Sequence, residues 1–153
     1  PPPPPPPPPP TTRRPPRTTP RSNRRQRQMC IRDSKMDAEY FRIGDSAVEV
    51  VNRAKQNNRR ICAVGTTTMR SIESAVSAES MLKHAEGWTN LFIYPPFEFH
   101  IANAMITNFH LPKSSLLIMI CAFGGYELIM EAYQVAIKEK YRFFSYGDAM
   151  MII

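Results

Sequence analysis

The turn Gly65-Thr66-Thr67-Thr68-Met69-Arg70 follows a short apolar run and precedes a helical pattern, so it leaves the carboxyl end of a strand and opens a helix. That is where α/β proteins bind anionic or nucleotide-like ligands. Backbone amides, threonine hydroxyls and the Arg70 guanidinium would all act as donors there. The spacing is neither a Walker loop nor a GxGxxG fingerprint, and threonines that only cap a helix account for the same residues equally well. Glu73, about one helical turn beyond Arg70, is placed to pair with it. A second group lies in Thr107-Asn108-Phe109-His110-Leu111-Pro112, where Asn108 and His110 end another apolar run. His110 can move a proton near neutral pH, although a lone histidine beside a proline turn more often serves structure. Asp148, after Tyr146-Gly147, is a third candidate; a turn aspartate usually bonds its own backbone. Catalysis therefore rests on His110 and Asp148, and substrate binding on Gly65, Thr66, Thr67, Arg70, Glu73 and Asn108.

These side chains need a scaffold, and the hydrophobic pattern supplies one. Ser46 with Glu49 forms a capping box for a helix to about Asn57, with Ala47, Val50, Val51 and Ala54 on one face. Ile61 to Val64 is a short continuous apolar run, as expected for a strand buried on both faces of a parallel sheet. Helix then follows from Met69 to about Ala78. Leu91 to Tyr94 and Ala104 to Phe109 are further strand candidates, stopped by Pro95 and Pro112. Ser114 or Ser115 caps an apolar helix over 116 to 123, Gly124-Gly125 ends it, and Tyr126 to Lys140 forms a longer amphipathic helix. The segments Arg142 to Ser145 and Ala149 to Ile153 flank a Tyr-Gly-Asp turn. Strands alternating with helices predict an α/β fold, a layered and mostly parallel sheet with flanking helices.

The first 34 residues are different in kind. They open with ten consecutive prolines and offer almost nothing apolar, so a disordered leader is expected. Eight of the 20 basic residues and only Asp33 of the 13 acidic ones lie there, leaving twelve of each sign behind. The net charge of +7 thus belongs to the leader, and residues 35–153 as a whole are neutral. The stretch Gln28 to Ser34 resembles the translation of a transposon-end adapter used in sequencing libraries, so the leader is expected to be non-native. The alternative is a native arm whose arginines contact RNA phosphates. Cys30, Cys62 and Cys121 show neither disulfide nor zinc spacing. The longest apolar run, Leu116 to Phe123, is well short of the roughly 20 residues that a membrane helix needs; a soluble, cytoplasmic protein is expected.

Five strings occur in an order and spacing that resemble one family. They are Lys35-Met36-Asp37-Ala38-Glu39; A-V-G-T-T at 63 to 67 with Arg70 and Glu73; G-W-T-N-L-F-I-Y-P at 87 to 95; T-N-F-H-L-P at 107 to 112; and Y-R-F-F-S-Y-G-D-A-M at 141 to 150. Together they span essentially all of residues 35–153, which resemble the C-terminal part of the S-adenosylmethionine:tRNA ribosyltransferase-isomerases of queuosine biosynthesis. The resemblance implies transfer and isomerisation of the ribosyl portion of S-adenosylmethionine onto 7-aminomethyl-7-deazaguanine in tRNA, giving epoxyqueuosine-tRNA and releasing adenine and methionine. It implies tRNA and S-adenosylmethionine as partners, no metal, and a two-domain enzyme in which this segment belongs to the large α/β domain. A monomer is expected. Ser34 and Asp37 stand where many members carry histidines, so no proton-transfer role is assigned at position 37. A few residues are expected to follow Ile153.

Two rival readings make different predictions. A non-catalytic RNA-binding module acting through the arginine-rich leader would keep its affinity after loss of the folded part. A different α/β enzyme using the 65 to 70 turn for an ordinary nucleotide would prefer ATP or NAD and release no adenine.

Overall fold

Residues 36–153 are described by a computed structural model, and the leader expected over residues 1–34 lies outside the described residues. In chain order the elements are β1 (Glu39–Ile43), α1 (Asp45–Gln56), β2 (Cys62–Val64), α2 (Thr66–Ser74), β3 (Ala85–Thr89), β4 (Ala104–Asn108), α3 (Ser115–Gly124), α4 (Tyr126–Lys138), a 3-10 turn (Phe144–Tyr146) and β5 (Ala149–Ile152). The α/β class expected from the alternation is what forms. The strand pairing is mixed, however, where a mostly parallel sheet was expected. One sheet is the antiparallel pair β1-β3; the other has the order β2-β4-β5, with β2 parallel and β5 antiparallel to β4.

Two strands escaped the pattern reading, and one predicted strand is absent. Ala85–Thr89 contains Gly87 and little that is apolar, and it becomes a strand by pairing with β1, from Glu39 opposite Thr89 to Ile43 opposite Ala85. Leu91 to Tyr94 is not a ladder strand, because side chains take the backbone groups a ladder would use. The Leu91 amide donates to Thr89 Oγ1 (3.1 Å) and its carbonyl accepts from Arg70 Nε (3.0 Å).

The helices show similar local decisions. Helix α1 starts two residues early, with Gly44 at its N-cap and the Gly44 carbonyl accepting from the Ala47 and Val48 amides. The Ser46–Glu49 box therefore does not form, and Glu49 pairs with Arg53 instead. Val48 and Val51 are half-buried against the core whereas Ala47 and Val50 are exposed, so the inward stripe is rotated from the predicted one. Ser114 does cap α3, its hydroxyl accepting from the Leu117 amide (3.2 Å). Helix α3 is apolar all round because it is shared between two cores: Leu117, Ile120 and Cys121 pack with Phe109, Ile129 and Tyr133, while Met119 packs with Ala63, Met69 and Met105. Among the described residues no single helix is long and apolar enough to cross a membrane.

One face of the sheet β2-β4-β5 is covered along its length, and the other is covered at Ala104 but largely open beyond it. Ala63, Met105 and Ile152 are buried. On the other face Cys62, Val64 and Met151 are exposed and Ile106 is half-buried. Strand β2, expected to be buried on both sides, thus buries its middle residue alone.

Candidate functional site

The parallel pairing of β2 with β4 sets Val64, the last residue of β2, beside Ile106, two residues before β4 ends at Asn108. The Gly65 amide donates to the Ile106 carbonyl (2.8 Å), which fastens the 65–67 turn to β4. Gly65 has φ +92°, a left-handed conformation that side chains rarely adopt, and this allows the chain to turn sharply from strand into α2. The amides of the first turn of α2 have no helical acceptor. Thr68 returns its hydroxyl to the Val64 carbonyl (2.8 Å), while Thr66 is half-buried and Thr67 exposed.

Asn108 and His110 leave the same end of β4, and antiparallel β5 begins there, with Ala149 opposite Asn108. Asn108 Nδ2 approaches the Asp148 carbonyl at 3.5 Å. The structure therefore brings Gly65, Thr66, Thr67, Asn108, His110 and Asp148 to one end of one sheet, from three separate stretches of sequence. One open groove lies beside Lys55 and Asn103; another, beside Leu128 and Met150, borders this sheet end at Phe109 and Ala149, although none of the six residues lines either.

His110 is held on both sides. Its amide donates to the Tyr133 hydroxyl (2.8 Å), and its ring Nε2 lies 2.8 Å from Thr107 Oγ1. Burial pushes the imidazole below its ordinary range, so the neutral ring is favoured. Burial also raises Tyr133, which stays protonated, and Phe109 and Phe143 pack edge-on around its ring. Thr107 and Tyr133 were not singled out from sequence. Thr107 sits three residues before His110 on a strand that was predicted, so its reach was open to inference; Tyr133 lies 23 residues away and gave no local signal.

Asp148 fastens its own turn, as turn aspartates usually do. Its Oδ2 accepts from the Arg142 amide (2.9 Å) and its Oδ1 from the Arg142 guanidinium (3.1 Å); those bonds hold the carboxyl below the usual carboxylate range. Gly147 makes the turn possible, since a Cβ there would stand 2.0 Å from the Arg142 carbonyl oxygen.

Arg70 and Glu73 bond to none of these six residues. Arg70 is 1% exposed. Its guanidinium donates to the carbonyls of Leu91, Asp37 (3.1 Å) and Thr89 (3.2 Å) and meets the Glu39 carboxylate. Glu73 does not pair with Arg70; its buried carboxylate accepts from the amides of His100 and Ile101 at 3.0 Å. Both side chains of α2 therefore anchor chain segments, and the sheet end is left to the remaining six candidates.

The sequence pattern of the family described as Queuosine biosynthesis protein matches residues 20–152. A relative from Cytophaga hutchinsonii, named S-adenosylmethionine:tRNA ribosyltransferase-isomerase, is 59% identical over 119 residues, covering 78% of this chain and 34% of the relative. A relative of the same name from Bacteroides fragilis is 56% identical over the same shares. The crystal structure of an S-adenosylmethionine tRNA ribosyltransferase from Thermotoga maritima superposes with a TM-score of 0.66 at 44% identity, over 74% of this chain and 40% of that one. The chain thus spans about a third of the length of the curated relatives it matches.

Proposed function

Because the chain belongs to the queuosine biosynthesis protein family, we propose that it supplies one end of the active site of a tRNA ribosyltransferase-isomerase, acting on S-adenosylmethionine and on tRNA that carries 7-aminomethyl-7-deazaguanine. The observation that carries this reading is the 59% identity over 119 residues with an enzyme of that name. The geometry agrees with it: the 65–67 turn and T-N-F-H-L-P meet at the carboxyl ends of adjacent parallel strands, where α/β enzymes bind nucleoside-like ligands. The reaction needs removal of an acidic proton beside the sulfonium, help for the departing adenine, and an unprotonated amine on the tRNA base. In this reading the first-turn amides of α2 with Thr66 and Thr67 bind polar groups of the substrates, and Asn108 and His110 face the reacting portion. Asp148 fixes the turn that carries Asn108's neighbour β5. Arg70 and Glu73 hold the scaffold. The enzyme works as a monomer in the cytoplasm, where its tRNA substrate is.

The test is a chimera in which residues 35–153 replace the corresponding third of the Cytophaga hutchinsonii relative. Adenine release from S-adenosylmethionine in the presence of precursor tRNA is the expected result. A soluble chimera that releases no adenine while the parent does would sink the assignment.

A further inference from the structure

We propose that Thr107 is a positioning residue that fixes the tautomer of His110, so that the ring presents its Nδ1–H as a hydrogen-bond donor and not a lone pair as a base. The argument begins with burial. Thr107 is 4% exposed, and among the described residues its hydroxyl has one partner, His110 Nε2 at 2.8 Å. A hydroxyl both donates and accepts, whereas a neutral imidazole carries one proton on one of its two nitrogens. If Nε2–H donated to the threonine oxygen, the buried threonine hydrogen would face no acceptor among the described residues. If the threonine donates, every buried polar hydrogen of the pair is satisfied. The proton of the ring then lies on Nδ1, which has no protein partner among the described residues and sits on a half-buried side chain.

The backbone reinforces the choice. The Tyr133 hydroxyl takes the His110 amide, and the Phe144 amide donates to the Phe109 carbonyl (3.0 Å), so the stretch carrying the ring is pinned on both sides. The preference for a neutral ring, set by burial, keeps the device in this form near neutral pH. Resting on the reading of the site given above, the Nδ1–H then offers a hydrogen bond to an acceptor atom of the substrate, the departing base included, while the proton beside the sulfonium is removed by another group.

The test starts with the imidazole ¹⁵N resonances of the full chain at about pH 8, above the range in which histidine protonates. His110→Gln identifies the signal among the three histidines. Wild type should carry its proton on Nδ1, Thr107→Val should move it toward Nε2, and Thr107→Ser should keep it on Nδ1. A wild-type ring protonated on Nε2, or a valine variant with unchanged resonances, overturns the proposal. If the valine variant does not fold, the wild-type and serine spectra still decide. In the chimera, Thr107→Val should lower kcat by roughly 10- to 100-fold through misplacement, with Thr107→Ser restoring it; a valine variant with wild-type kcat and pH profile overturns the role in turnover. A parent chimera without activity counts against the reading of the site, and the nitrogen resonances remain decisive for the tautomer.

Discussion

Arg70 Nη1 stands 3.1 Å from Glu39 Oε2, joining helix α2 to strand β1 through a guanidinium that is almost wholly buried. That carboxylate oxygen is itself buried and makes no aligned hydrogen bond, so its compensation comes from the charge of Arg70. The same guanidinium bonds three carbonyls, those of Asp37, Thr89 and Leu91. Arg70→Ala should therefore destabilise the chain by roughly 3 kcal/mol, because it leaves three carbonyls and one Glu39 oxygen without their donor. Arg70→Lys should recover little, because one ammonium cannot span the fork. Urea unfolding of the full chain measures this, and an alanine variant with an unchanged midpoint would remove Arg70 from the scaffold.

Glu73 should behave as a clamp. Glu73→Gln keeps one acceptor oxygen but loses the charge that receives the His100 and Ile101 amides, a change of about 1.5 to 3 kcal/mol for bonds to an ionised group. Amide exchange at those two residues should accelerate more than exchange in α3. Uniform acceleration across the chain would argue against a local clamp.

The parts that were legible in sequence are those governed by local pattern. The run Ile61 to Val64, the Gly65 turn and the Ser114 cap each announce themselves within a few residues, and they bring the 65–67 turn and T-N-F-H-L-P to the same sheet end once β2 and β4 pair. What was illegible depends on partners far along the chain. Strand β3 exists because β1 lies beside it, 46 residues away at Tyr40 and Glu86, whose side chains also bond. Leu91 to Tyr94 has strand composition but lost its ladder to Arg70 and Thr89. Arg70 read as a ligand-binding cation because type and spacing cannot distinguish a buried guanidinium from an exposed one.

Gly147→Ala should open the turn that Asp148 closes, since the added carbon would meet the Arg142 backbone at 2.0 Å and no side-chain adjustment relieves that. The expected result is loss of the Arg142–Asp148 contact and weaker protection of the β5 amides. Wild-type exchange rates there would show that the backbone relaxes freely.

Acid should weaken the fold in two stages. His110 is shifted down by burial, so its contribution is fully present above the unfolded value near 6.5 and is lost as pH falls through the lower folded value. Asp148 is shifted down by Arg142, so its contribution is present above about 3.9 and disappears below it. Tyr133 and Cys121, both raised by burial, stay neutral across this window. His110→Gln should flatten the stability curve between about pH 7 and 5 and leave the lower stage intact. Parallel wild-type and variant curves over that interval would show that burial of the neutral ring contributes nothing.

Removing residues 1–34 should leave the melting temperature within error, because the segment has almost no apolar side chains with which to join a core. A clear fall would show that it contributes to folding.

The bare sheet face of Cys62, Val64, Ile106 and Met151 also governs colloidal behaviour. Beyond position 34 the chain holds twelve basic and twelve acidic residues, so that part has no net charge with which one copy repels another. All of the +7 comes from the first 34 residues. The cut that leaves the melting temperature alone therefore removes the repulsion between molecules while the apolar face stays open. The osmotic second virial coefficient should turn negative on that truncation, and more steeply in sulfate, which strengthens apolar association.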